Sequence, residues 1–459
     1  MCGDHPPPTT SPPSGWGSED PFPWHLGLPD AHCHPTDTMS SIPSIASMRA
    51  SVLTIMATRS QDQDLVASVG SSSNLGVRSR TALSAHSDAE RGEKERVIPA
   101  FGWHPWFSYQ LFDDTTAAVA SGDDGDVNQG LKALHYKAVL TPEPSDEFVA
   151  ALPDPIPLSK FIADTKRRVS TADVGMIGEI GLDKAFRLPW PWGMTGPSST
   201  TATEAAPAEE EQRSSSPSSG ITPGGRENRA LSPHHVRMPH QIAVLSAQLR
   251  LAGELGVPVS VHGVQAHGVL YDVFKGLWKG YEKEVVSRRK QKLVAPGAED
   301  FSSSSEDEDE YEEDDFGWEE GEEGAFKPAE QKPKPPAKPA GSKKPYKPTP
   351  FPPRICLHSF SGSPQTLKQY THPTVPAKVY FSFSTAINLS TAGGAAKFGD
   401  VVRACPDDRV LVESDLHVAG PDMDAALEEI TRKVCEVKGW TLEDGVERIR
   451  KNYEEFVFG

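Results

Sequence analysis

Side chains able to bind metal recur at the tips of short apolar runs, at six separated places in the chain. They are Asp30-Ala31-His32-Cys33-His34, Gly102-Trp103-His104-Pro105, Gly178-Glu179-Ile180-Gly181-Leu182-Asp183, Val259-Ser260-Val261-His262, Cys356-Leu357-His358 and Glu413-Ser414-Asp415. A closed parallel barrel gathers residues from many strand ends at one rim. The ordered set therefore predicts a metal-dependent hydrolase on an α/β scaffold, a (β/α)8 TIM barrel.

Eight β-branched or apolar runs qualify as strands, at 28–34, 51–56, 97–101, 175–179, 258–262, 354–358, 378–383 and 409–413. Helical spacing lies between or after them at 42–50, 61–69, 158–169, 240–256, 268–276, 395–404, 423–438 and 441–456. The clearest is 240–256, where Val244, Leu245, Gln248, Leu249, Ala252 and Leu255 share a face and Gly256 supplies a stop. Strand alternating with helix is the pattern of a parallel sheet.

Four stretches cannot belong to such a barrel. Residues 1–23 form a Pro/Ser/Thr/Gly-rich tail, and low-complexity insertions are expected at about 71–95, 191–233 and 295–352, leaving one domain over 24–459. None has the apolar content to offset the entropy of ordering, so all four are expected to be disordered. The charge is concentrated in the last of them. Residues 299–323 hold 15 Asp and Glu and no Lys or Arg, within a total of −18; elsewhere 46 basic residues face 49 acidic ones. The rest of the chain thus lacks the basic excess that non-specific duplex binding needs. Five cysteines without a C-x-x-C pair fit a reduced cytoplasmic or nuclear compartment. The start shows no secretory pattern and no run approaches a membrane span, so a protein that is not secreted is expected.

On a strand, His32 and His34 project to the same side, so both imidazoles can face one ion while Cys33 points away. Glu179 is either a salt-bridged rim residue or a carboxylate spanning two cations. A buried carboxylate needs such a partner. His262 and His358 occupy equivalent strand ends, each followed by a small residue, Gly263 or Ser359. Asp415 fits a metal-bound carboxylate that also accepts a proton from the attacking water, and Asp183 fits either an outer partner or a helix cap. His104 is assigned to substrate contact. Trp103 and Trp106 offer either packing or a face for a nucleobase. Four His and two carboxylates suffice for two divalent cations, with Zn or Mn suited to mixed N/O donors and Mg to an oxygen-dominated set.

These motifs resemble the TatD family of metal-dependent deoxyribonucleases. The resemblance is carried by D-x-H-x-H-x-x-D (Asp30, His32, His34, Asp37), G-x-H-P (Gly102, His104, Pro105) and G-E-x-G-L-D (Gly178, Glu179, Gly181, Leu182, Asp183). It continues with Gln248 to Ala252 ahead of P-V-x-x-H (Pro258, Val259, His262), H-x-F-x-G (His358, Phe360, Gly362) and E-[ST]-D (Glu413, Ser414, Asp415). The likeness implies hydrolysis of phosphodiester bonds, typically in DNA. It also implies His32, His34, Glu179, His262, His358 and Asp415 as metal ligands, with Glu179 and Asp415 catalytic and His104 near the substrate phosphate. The long insertions resemble a fungal branch. Some of its members are named for binding a subunit of the cell-cycle ubiquitin-ligase machinery, so such a protein partner is a further expectation.

Two positions depart from the family pattern. Val264 stands where an Arg usually follows the fifth-strand His, and Leu416-His417 replaces Ala-Pro after the last Asp. Both touch substrate binding and spare the metal set. Two other readings stay open: an amidohydrolase-type enzyme on an amide, lactone or nucleobase, and an adaptor that uses the barrel as a scaffold.

Overall fold

A computed structural model describes residues 21–71, 75–80, 95–114, 125–194, 229–285 and 346–459. The chain divides into two units, 1–283 with 348–459, and 284–347; the barrel belongs to the first. Most of the four stretches expected to be disordered lies outside the described residues.

All eight expected strands form. They are β1 (Asp30–Cys33), β2 (Leu53–Met56), β3 (Val97–Ala100), β4 (Ile177–Asp183), β5 (Val259–Val264), β6 (Arg354–Leu357), β7 (Lys378–Phe383) and β8 (Val410–Val412). β1 to β3 pair in parallel as one sheet and β4 to β8 as another, each strand beside its sequence neighbour. Backbone contacts close the ring at both seams. Ala100 bridges Met176, the Phe101 N–H donates to Met176 O at 3.0 Å, and the Asp415 N–H donates to His32 O at 3.1 Å. The architecture is a TIM barrel.

Strand alternation divides the core into two layers. Leu53, Ile55, Ile355, Leu357, Val379 and Phe381 pack outward with Leu249, Phe274, Leu427 and Ile430 of the surrounding helices. Ile98, Met176, Cys356, Tyr380 and Leu411 form a second cluster, which the last helix, Leu442–Phe458, completes with Tyr453 and Phe456. The Tyr453 hydroxyl lies 2.5 Å from Thr54 Oγ1, so the polar atom that the last helix brings into this layer is paired.

The expected helices also form, several with the caps that their sequences advertise. Thr441 Oγ1 accepts the Asp444 N–H at 3.2 Å, and Gly256 ends Met238–Leu255 at φ 70°, a conformation open to glycine. The segment expected as a helix at 42–50 is instead the tail of a 3-10 stretch, Pro35–Ser47, with Pro43 inside it. A proline there lacks the N–H an α-helix needs.

Other elements had no reading in the sequence. Leu111–Phe112 pairs with Ile156–Pro157, and Leu140–Thr141 with His235–Val236. The helices Gly125–Val139 and Asp146–Ala151 supply Tyr136, Val139, Phe148 and Val149 to a separate cluster with Tyr109 and Leu188. The margins of three expected insertions are packed. Gly76 bridges Val97, Leu231 bridges Pro189, and Val77, Ser232 and Phe351 are buried. Among the described residues, no helix is long and apolar enough to cross a membrane, and Cys33, Cys356, Cys405 and Cys435 are buried free thiols.

Candidate metal centre

The seam between β1 and β8 builds the first half of the site. The His34 N–H donates to Leu416 O at 2.8 Å, and Asp415 is tied to His32 as described above, which brings the two strand tips together. Asp30, fully buried, accepts from the His32 N–H (3.1 Å), the Ser414 N–H (3.1 Å) and the Ser414 hydroxyl (2.5 Å). Burial pushes its pKa up to about 7, with those bonds pulling the other way. Asp415 sits at φ 56°, a left-handed conformation that a non-glycine residue adopts under constraint.

His32 is oriented from behind, its Nδ1 lying 2.8 Å from Ser260 Oγ. Its Nε2 then faces the Nε2 of His34 at 3.1 Å, and Asp415 Oδ1 lies 3.9 and 3.7 Å from these two nitrogens. Burial keeps the His34 pKa well below that of a free imidazole, although Glu179 opposes it.

Glu179 stands between two sets of imidazoles. Its Oε2 lies 3.5 Å from His32 Nε2 and 3.4 Å from His34 Nε2. Its Oε1 lies 3.1 Å from His104 Nε2, 3.0 Å from His262 Nδ1 and 2.7 Å from His358 Nε2. Burial alone would raise its pKa, but His104, His358 and His32 outweigh it and hold the carboxyl well below the usual range. The sequence placed this residue at a strand end; it lies inside β4, which runs on to pair Asp183 with Val264. The continuation requires Gly181. At φ 153° it presses against β5 so closely that a Cβ would overlap the His262 carbonyl.

A second ring of carboxylates orients the histidines. Asp183 Oδ2 lies 3.2 Å from His262 Nε2 and accepts the Trp106 indole N–H at 2.6 Å. Its Oδ1 caps the turn through the Ala185 and Phe186 N–H groups. Of the two roles considered for Asp183 the outer partner is filled, while the helix cap is not: the described residues after it form a turn and no helix. Burial would raise its pKa, but the His262 and Trp106 bonds bring it to about 2. Glu413, wholly buried, lies 3.4 Å from His358 Nδ1 and accepts from the hydroxyls of Ser359 (2.5 Å) and Ser382. Each of these histidines thus lies between two carboxylates. Burial lowers its pKa, but the flanking charge prevails, lifting His262 to about 9 and His358 well above its ordinary value.

His104 differs from the rest. Its Nδ1 accepts the Trp106 backbone N–H at 3.2 Å, so in the neutral ring the proton sits on Nε2 and is donated to Glu179. Burial, against the pull of Glu179, brings its pKa down to about 4, which keeps the ring neutral at pH 7. It shares a cluster of close donor atoms with Glu179 and His262. With that proton in place, however, it offers a donor and no lone pair.

In their neutral forms His32, His262 and His358 donate from their outer nitrogens to Ser260, Asp183 and Glu413 and turn inner lone pairs toward Glu179; without a cation, protons on His262 and His358 take that inner place. Acceptors packed this closely repel unless protons or cations lie between them. The buried groups His32/His34/Asp415 and Glu179/His262, with His358 beside them, are a mixed N/O donor set that fits divalent cations.

The structure thus brings together His32, His34, His104, Glu179, His262, His358 and Asp415, all the residues singled out in the sequence. Glu413 appeared there only as part of a motif and Ser260 only as the neighbour of His262. Strand alternation was the available signal, since Ser260 and His262 are two apart on β5. Trp103 is buried and donates its indole N–H to Phe107 O, so it packs and offers no open face. Trp106 stacks on Phe186 with ring centroids 4.8 Å apart. No guanidinium stands at Val264, whose carbonyl accepts the Lys184 N–H. His417 bonds Asp37 Oδ2 at 2.7 Å and stacks on His34.

Residues 29–458 match the family model described as TatD related DNase. Cut9-interacting protein scn1 of Schizosaccharomyces pombe is 32% identical over 431 residues, covering 93% of this chain and 98% of that protein. An uncharacterized deoxyribonuclease of Saccharomyces cerevisiae is 24% identical over 377 residues, 79% of this chain and 83% of that one. Among solved structures, a TatD homologue from Escherichia coli aligns at TM-score 0.42 and 14% identity, over 94% of this chain and 98% of that one. A TatD family hydrolase from Entamoeba histolytica aligns at 0.46 and 10%, over 94% and 98%. With a family model spanning almost its whole length, and a donor cluster on the strands where its motifs lie, the chain belongs to the TatD-related DNase family of metal-dependent hydrolases.

Proposed function

We propose that the protein is a phosphodiesterase that uses two divalent cations, with DNA as its substrate class. The observation that carries the proposal is the split of Glu179, one carboxylate oxygen toward His32 and His34 and the other toward His262 and His358. In this reading His32, His34 and Asp415 would hold one cation and His262 and His358 the other, with Glu179 shared by both sets; divalent cations would supply an activated water and charge neutralisation at the phosphate. Imidazole nitrogens outnumber carboxylates, which favours Zn or Mn over Mg. Asp415, at the tip of β8 beside His32 and His34, would also take up the proton of the attacking water. The neutral His104 carries its proton on Nε2, where a phosphate oxygen would take the place of Glu179 as acceptor. The amidohydrolase alternative gains no support from a bridging position filled by an unmodified glutamate.

Elemental analysis of the purified protein tests the metal set. Wild type is expected to hold close to two equivalents of divalent cation, and His32→Ala/His34→Ala at least one fewer, with a DNase assay run on the same samples. Equal content in both proteins would remove the proposal.

The relative named for Cut9 binding supports a second role, capture of a protein partner. Segment 295–345, which lies outside the described residues, carries the acidic tract and a Lys/Pro tract, surfaces of opposite charge for such a partner. Deleting it, while keeping 346–352 because Phe351 is buried, is expected to abolish capture and leave DNA cleavage within about twofold of wild type. Capture that survives the deletion would move the binding surface onto the barrel.

A further inference from the structure

Arg59 lies three residues past the end of β2, at the rim where the histidines and carboxylates gather. The two residues before it already serve that rim: Ala57 O accepts the Glu179 N–H at 2.9 Å, and Thr58 O the His104 N–H at 2.8 Å. The nearest acid in sequence, Asp62, is occupied elsewhere. Its oxygens take the Arg59 backbone N–H (2.9 Å) and the backbone N–H and hydroxyl of Thr58 (3.0 and 2.6 Å), so it does not pair with the side chain.

The guanidinium lies over the Phe107 ring, 4.7 Å from its centroid. Phe107 sits in the short helix that follows His104, with their ring centroids 6.5 Å apart. The side chain is half-buried, and its Nε is fully enclosed without a hydrogen-bond partner. Among the described residues the guanidinium has no ion pair. Asp37, the rim carboxylate that feels its charge, is bonded instead to His417.

Such a group calls for an anion. A guanidinium is always charged, its planar fork of N–H donors matches two oxygens of a phosphate, and stacking on an aromatic ring fixes its plane. Enclosing one donor and leaving the charge unneutralised is unfavourable unless something completes it. We propose that Arg59 holds a strand phosphate of the nucleic-acid substrate beside the cluster around Glu179, a task for which Val264 offers no charge. The substrate identity rests on the phosphodiesterase reading; the anion site rests on Arg59, Phe107 and the free donors.

Fluorescence anisotropy with a labelled oligothymidylate, in chelator so that nothing is cleaved, tests this directly. Arg59→Gln is expected to bind roughly tenfold more weakly than wild type and to lower the slope of log K against log salt by about one. Arg59→Lys keeps the charge without the fork and should fall between them, with its melting temperature unchanged. Inorganic phosphate should displace the oligonucleotide from wild type. Wild type that does not bind, or Arg59→Gln with an unaltered salt slope, overturns the proposal; if Arg59→Gln does not fold, Arg59→Lys binding as tightly as wild type does the same. Should Arg59-dependent binding occur while the metal-loaded enzyme cleaves no phosphodiester, the Arg59 assignment stands and the phosphodiesterase reading falls.

Discussion

Cleavage of DNA by metal-loaded Glu179→Gln protein is expected to fall by on the order of a thousandfold or more, equivalent to a barrier higher by about 4 kcal/mol. Glutamine preserves the shape and volume of the side chain but replaces one carboxylate oxygen by an NH2 donor. Whichever way the amide turns, that donor faces either the His32/His34 pair or the His262/His358 pair, and one set of lone pairs loses its bridge. The negative charge holding the inner ends of four imidazoles together is lost as well. Cation content should drop in step with the rate, by at least one equivalent. The melting curve is expected to keep a single cooperative transition, because the backbone of Glu179 remains bonded to Ala57 O. Glu179→Gln with wild-type cleavage and wild-type cation content would leave the two-cation site without its central ligand.

Phe456→Ala should be the most destabilising single change outside the site, by about 3–5 kcal/mol. Phe456 is fully buried on the last helix, with its ring 5.3 Å from that of Tyr380 and 6.5 Å from that of Tyr453. It belongs to the cluster that fills the barrel interior, where Ile98 on β3, Leu411 on β8 and Met176 just before β4 leave little room to collapse into a void. Chemical denaturation is the direct measurement, and the midpoint should shift without a change in slope. A loss below about 1 kcal/mol would mean that the last helix is peripheral, contrary to its packing.

The barrel was legible because its strands are short apolar runs that end in polar tips, and six such tips carry the site. His32 and His34 were placed on one side because residues two apart on a strand share a face, and their Nε2 atoms lie 3.1 Å apart. The extent of β4 was not legible. Gly181 looks like a strand stop until its close approach to His262 is seen, and only the pairing of Asp183 with Val264 shows that the strand continues. The Glu413–His358 and Ser260–His32 contacts were hidden for a related reason, since each joins residues from different strands whose register the sequence does not state. The two-residue strands Leu111–Phe112 and Leu140–Thr141 are too short for any periodicity. Arg59 carries no motif at all; what marks it is the absence of a partner, which only a three-dimensional arrangement can reveal.

The seam that ties His32 to Asp415 joins residues at opposite ends of the polypeptide. Two of the six proposed ligands, His32 and His34, therefore come from the β1 tip and one, Asp415, from just past β8, the last barrel strand to be synthesised. A nascent or truncated chain ending short of β8 can form several strands and helices yet lacks Asp415. The loop-closure entropy for joining such distant ends grows only logarithmically with the length between them, so long insertions can accumulate without preventing that final union. Completion of the donor set in this sense waits for β8, when Asp415 comes to bond His32.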